Sequence, residues 1–228
     1  MSLTKQPTRP ALVHRLYLWL LSTSRDVDGL WVGSTEQKPC PGLQRVDDAL
    51  RLIKQHAPLH YSRVIHDLQR VLIDVVPGAI GSYQPSLNAC VLDERFVLSE
   101  TTALEDIAST IVHEATHARL QHRGIGYDEA IRARVEAICM RREMNFLSKL
   151  PNSQSLLAEM ARKMEWYAGN QEWFSDANQK QHHREGSVRT LRYLGAPEWL
   201  IATLLNVLAL ASIAGRFRRL IGRSSQPG

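Results

Sequence analysis

The chain reads as an α+β fold, mostly helical, with a small mixed β-sheet beside one central helix. Three observations predict it. Thr102–His122 and Asp128–Leu150 carry apolar residues at helical spacing and follow one another closely. Two short β candidates, Ala79–Tyr83 and Ala89–Leu92, precede them, separated by the turn-rich Gln84-Pro85-Ser86-Leu87-Asn88. Past Pro151 the pattern is helical again. A length of 228 residues suits one compact domain with an appended element. The predicted parts are 1–45 (tail, helix and loop), 46–150 (core) and 151–228 (a helical C-terminal part).

Residues 1–10 form a loose tail, and Ala11–Leu21 is a helix packed on the domain. His14 and Arg15 interrupt its apolar run, and no cleavage pattern follows, so it is not a signal peptide. Asp28–Gly42, with Gly29, Gly33, Pro39 and Pro41, is expected to be a loop or linker. Val46–His56 is a helix with Ala49, Leu50 and Ile53 inward, ended by Pro58. In 61–76 the spacing of Val64, Leu68, Val71 and Leu72 suits a helix, with Leu72–Val76 able to extend into a strand. Phe96–Leu98 is a candidate third strand. Ser155–Tyr167 and Val188–Leu194 are helices, the second closed by Gly195, with a polar connection at 169–186. Pro197 and Glu198 start the last helix. Its run Trp199–Ala214 holds no charged residue, but a membrane span needs about 20 apolar residues. A buried or partner-covered helix is therefore preferred, with membrane association through 199–219 as the lesser reading.

The most informative stretch is His113-Glu114-Ala115-Thr116-His117, a His-Glu-x-x-His pattern inside the helix 102–122. Histidines four apart lie one above the other on a helix face. They can offer nitrogens to one metal ion while the intervening glutamate reaches water held there. Leu104, Ile107, Ala108, Ile111, Ala115 and Ala118 form the apolar stripe, and His113 and His117 project from roughly the opposite side. Thr102 with Glu105 marks the start as a capping box, and Gly124 marks the stop.

Such a site needs a third protein ligand and an open position. In the next helix Glu129, Glu136 and Glu143 recur every seven residues and share a side. Glu136 lies with Ala133, Cys139, Met140 and Leu147, an apolar layer in which a carboxylate is costly unless something pairs with it. Eighteen residues separate His117 from Glu136. His113-Glu114-x-x-His117 followed by that spacing and Glu136 resembles the gluzincin branch of the zincin metallopeptidases, over residues 102–147. The resemblance implies a zincin-like core over 46–150 and one Zn2+ ion on His113, His117 and Glu136. It also implies Glu114 as general base and hydrolysis of a peptide or protein substrate. Glu129 is the alternative third ligand. In zincins a small sheet precedes the metal helix and its edge strand pairs with extended peptide; Ala89–Leu92 is the strand proposed for that edge. No motif for gripping a substrate amino terminus is present, so aminopeptidase activity does not carry over.

The oxyanion donor is left open among Tyr127, Tyr167, Tyr193 and the pair His182-His183. Asp106, Glu129 and Glu143 are the candidate acceptors for the outer nitrogens of the histidines. The net charge of +5 comes from scattered arginine, and no aromatic-interleaved basic module argues for nucleic acid. The C-terminal Arg216, Arg218, Arg219 and Arg223 are read as a solvated end. Three widely spaced cysteines, Cys40, Cys90 and Cys139, form neither a disulfide framework nor a Cys-x-x-Cys site, which suits a reducing, cytoplasmic setting. Cys139 lies one turn past Glu136 and is read as packing. A zinc-binding regulatory module and a membrane-associated interaction protein stand as the rival functions.

Overall fold

The computed structural model describes residues 23–35 and 40–205. The predicted tail 1–10 and helix 11–21, residues 206–214 of the apolar run 199–214, and the C-terminal arginines lie outside them. The architecture is α+β, with a five-stranded mixed sheet of order β1-β2-β3-β5-β4. The strands are β1 (Thr23–Val27), β2 (Leu30–Ser34), β3 (Arg70–Asp74), β4 (Gly81–Gln84) and β5 (Ala89–Asp93). β2, β3 and β5 run parallel; β1 and β4 are antiparallel edges.

Of the expected linker 28–42, residues 28–34 are instead the turn and second strand of a hairpin and 41–42 the start of a helix, while 36–39 lie outside the described residues. Asp28 and Gly29 both have positive φ, 53° and 87°, the geometry of a two-residue type I′ turn, for which Asp-Gly is a strong local signal. Lys54 Nζ and the Tyr61 hydroxyl reach Asp28 Oδ2 at 2.6 and 2.7 Å, tying the turn to the helices behind it. Helix α1 spans Pro41–His56, so the expected boundary at 45/46 falls inside it. There Arg45 donates to the carbonyl oxygens of Val97 and Ser99, at 2.7 and 2.6 Å, and to that of Thr102.

Helix α2 (Pro58–Asp67) ends sooner than the periodicity predicts. Residues 70–74 are taken into the sheet, where Val71, Leu72 and Ile73 are buried between two parallel neighbours. Phe96–Leu98 is helical rather than extended, in α3 (Glu94–Leu98). The reason is Asp93, whose Oδ1 accepts from the backbone N–H groups of Arg95 and Phe96 at 3.0 and 3.3 Å and caps the turn.

Helix α4 (Leu104–His122) is the centre of the molecule and touches α1, α2, β4, β5 and the following α5 (Glu129–Leu147). Its cap is one residue later than expected: the Ala103 N–H donates to Asp106 Oδ2 at 3.1 Å, in place of a Thr102–Glu105 box. Its end follows expectation, with Gly124 N–H to the Gln121 carbonyl and Ile125 N–H to that of Leu120, a Schellman closure. Ile107, Ala108, Ile111, Ala115 and Ala118 pack on α1 and on one face of the sheet. Val112 and Thr116 are buried as well, and Thr110, His113, Glu114 and His117 line a cleft, so the side carrying the histidines faces that cleft rather than open solvent.

Helices α6 (Gln154–Gly169) and α7 (Asp176–Tyr193) follow, joined through a 3₁₀ turn, Gln171–Phe174. α7 starts twelve residues before the predicted 188, because Ser175 caps it by accepting the Asn178 N–H. It passes close to the loop before β4: a Cβ on Gly186 would lie 2.3 Å from the Cα and N of Gly78. Gly186→Ala must push the two backbones apart, and overpacking of this kind costs about 1–3 kcal/mol. We expect a lower denaturant midpoint with an unchanged m-value.

In the final helical stretch 198–205, Ile201 is buried but Trp199 and Leu204 are exposed, so this part is not covered all round. Among the described residues no helix is long and apolar enough to cross a membrane.

Candidate metal centre

Adjacent, interlocking helices α4 and α5 bring three side chains to one point. His113 Nε2 and His117 Nε2 lie 3.2 Å apart. Glu136 Oε2 is 3.3 Å from the first, and its Oε1 is 3.4 Å from the second. The residues named from the sequence, including the glutamate eighteen positions on, therefore converge.

A second carboxylate orients one of the histidines. Glu143 Oε2 lies 3.0 Å from His113 Nδ1. A carboxylate there favours a proton on Nδ1, which leaves the Nε2 lone pair facing His117 and Glu136. Of the three candidate acceptors only Glu143 fills this role. Asp106 is spent on the Ala103 N–H, and Glu129 accepts the Asp176 N–H at 3.0 Å, away from the centre.

Burial alone would raise the Glu136 carboxyl pKa, but the two imidazoles outweigh it and hold it well below the usual carboxylate range. Burial likewise opposes a charge on His113, and Glu136 and Glu143 overcome it, so that its pKa rises. Three acceptors crowded within 3.4 Å need positive charge among them, whether from protons or a cation. Donors about 2.0–2.1 Å from a tetrahedral ion would stand about 3.3–3.4 Å apart. The histidine pair is close to that spacing, and each imidazole has a different Glu136 oxygen at it, Oε2 for His113 and Oε1 for His117, so the set suits one such ion once a single carboxylate oxygen turns toward it.

Glu114 is 7% exposed, and burial raises its carboxyl pKa, an effect moderated by His113 and His117. It lies beside His113 at the floor of a cleft of about 920 Å³. One wall is β4, through Gly81, Ser82 and Tyr83; the others are α5, the loop 125–127 and the C-terminal helices. The edge strand is thus β4 and not Ala89–Leu92. β5 is buried along its whole length between β3 and β4, because an unbroken apolar run suits an interior strand.

Tyr127 separates from its rivals here. Its hydroxyl donates to Glu136 Oε1, and its ring meets that of His117 edge-on at 5.3 Å. Tyr167 and His182 line the cleft farther along; Tyr193 and His183 do not line it, and the Tyr193 hydroxyl faces Glu94 at 3.4 Å.

Arg132, which the sequence did not single out, holds this corner together. It is 8% exposed, with Nη1 on the Phe174 carbonyl and Nη2 on Asp176 Oδ1 at 2.7 Å and on the Tyr127 carbonyl at 3.5 Å. Its only sequence signal is an arginine on an inward helix position. Cys139 is fully buried, and its sulfur lies within 4.8 Å of the two histidine nitrogens. No family model matches the chain, and no curated protein or solved structure matches it.

Proposed function

We propose that the protein is a zinc-dependent metallopeptidase of zincin-like fold, holding one zinc ion on His113, His117 and Glu136 and hydrolysing peptide bonds in the cleft. The observation that carries this reading is the convergence of those three donors at 3.2–3.4 Å in a cleft that a buried glutamate, Glu114, also lines. Order along the chain supports it: strands, then the histidine helix, then the glutamate helix.

When bound there, zinc supplies a Lewis acid that acidifies a water molecule and polarises the scissile carbonyl. Glu114 takes the proton from the attacking water and delivers it to the leaving amine. Its raised carboxyl pKa suits that exchange better than an ordinary carboxylate would. Glu143 keeps the His113 ring in the orientation that directs Nε2 inward. The unpaired side of β4 offers main-chain groups to an extended peptide, which gives affinity with little sequence preference. Tyr127 is the donor best placed for the developing oxyanion, once its hydroxyl turns from Glu136 toward the carbonyl. Tyr127→Phe is therefore expected to lower kcat about 10²–10³-fold with KM little changed, the scale of losing one oxyanion donor. Steady-state kinetics at full metal occupancy check this.

Cys139 supports one second reading. As a fourth ligand it would close the site into a structural or regulatory zinc module. It is the weaker reading because Glu136 stands at ligand spacing from both imidazoles. Elemental analysis of Glu136→Ala, Glu129→Ala and Cys139→Ala separates the two. Zinc lost only in Glu136→Ala supports the peptidase centre, retention there refutes it, and loss in Cys139→Ala favours the closed module. A cytoplasmic setting is part of the proposal, supported by the buried thiols of Cys90 and Cys139, which form no disulfide.

A further inference from the structure

The C-terminal helices contribute an aromatic wall to the cleft, and nothing in the hydrolytic chemistry above uses it. Tyr167, Trp173, Phe174 and His182 all line the cavity. Their rings are in mutual contact: Tyr167 and Phe174 have centroids 5.0 Å apart, and Trp173 and His182 4.0 Å. An ordinary helical subdomain would bury such rings between its own helices. Here α6 has no buried residue at all, and Tyr167 and Trp173 remain half-exposed on the cleft side. The Arg132 clamp on Phe174 and Asp176 anchors this wall to the first turn of α5, the helix that carries Glu136. Rings fixed in this way can take up an apolar group with little further loss of side-chain entropy.

The charges on the wall narrow the choice of group. The ring of Tyr167 already has the Lys163 ammonium over it, at 5.9 Å from the centroid. Arg189, two turns along α7 from His182, also lines the cleft and makes no hydrogen bond or ion pair among the described residues. A cationic side chain seeking these π-faces would meet both positive groups, although Glu185 on the same face offsets part of that field. An uncharged aromatic ring meets no such penalty and stacks edge-to-face.

We propose that Tyr167, Trp173 and Phe174, with His182, form a recognition subsite for a bulky aromatic side chain of the peptide substrate. The proposal rests on the peptidase reading but concerns binding, so it is tested without turnover. Blocked tetrapeptides acetyl-Ala-X-Ala-Ala-amide, with X as Phe, Ala, Lys or Glu, are titrated calorimetrically into the zinc-loaded Glu114→Gln protein. The Phe peptide is expected to bind at least about tenfold tighter than the Ala peptide, the scale of burying one ring. The Lys peptide is expected to be no better than Ala. In Trp173→Ala and Tyr167→Ala, made in the same background, the Phe-to-Ala ratio falls toward unity. A general folding defect would weaken every peptide alike and leave the ratio in place. Equal affinities, no binding of any of the four, tightest binding of Lys or Glu, or a ratio unchanged in both variants overturns the subsite. Selective Phe binding by a protein whose wild type cleaves nothing would retain the subsite and reject the peptidase; cleavage without selectivity would do the reverse.

Discussion

Glu114→Gln is expected to lower turnover by about 10²–10⁴-fold, the contribution of a positioned general base, while zinc content stays at the wild-type level. The two side chains are nearly isosteric, so the buried position beside His113 keeps its packing, and only the basic oxygen is lost. The carboxylate is not among the three converging donors, which is why metal content should not follow activity. Peptide cleavage and elemental analysis on one preparation give both numbers. Full activity in the variant would remove Glu114 from the chemistry, and loss of zinc would mean that the glutamate is a ligand.

His117→Ala should lose both metal and turnover. It removes one of three donors and leaves Glu136 with a single imidazole partner. A second readout is thermal. A ligand that binds only the folded chain stabilises it by about 2.7 kcal/mol at a hundredfold excess over Kd. Added zinc should therefore raise the Tm of the wild type and leave that of His117→Ala unmoved. Zinc at full occupancy in the variant, or an equal shift in both proteins, would refute the ligand assignment. The same measurement on Cys139→Ala should resemble the wild type, because Glu136 rather than that thiol stands at ligand spacing from both imidazoles.

The site was more legible in the chain than the sheet was. A four-residue spacing puts His113 and His117 on one helix face whatever surrounds them, while Glu136 shares its side of the next helix with Glu129 and Glu143, which left Glu129 as an alternative. The sheet depends on pairing between distant segments. Arg70–Asp74 reads as the end of a helix able to extend into a strand until β2 and β5 flank it, and the apolar run of Ala89–Asp93 suits an interior strand but does not say which strands cover it. Asp28-Gly29 was a local signal that the density of glycine and proline nearby obscured.

What the sequence by itself determined is the register of the candidate side chains: two imidazoles on one helix face, the glutamate between them, and a carboxylate on the next helix, with Glu136 preferred and Glu129 the alternative. The physical reason is that helical geometry repeats every 3.6 residues and needs no knowledge of the rest of the fold. Only the tertiary structure decided that Glu143, not Asp106 or Glu129, faces the His113 ring, that Tyr127 bonds Glu136, and that Arg132 and Gly186 hold an aromatic wall across the cleft. Those contacts join residues far apart in the chain or on loops, where direction is settled by packing rather than by period.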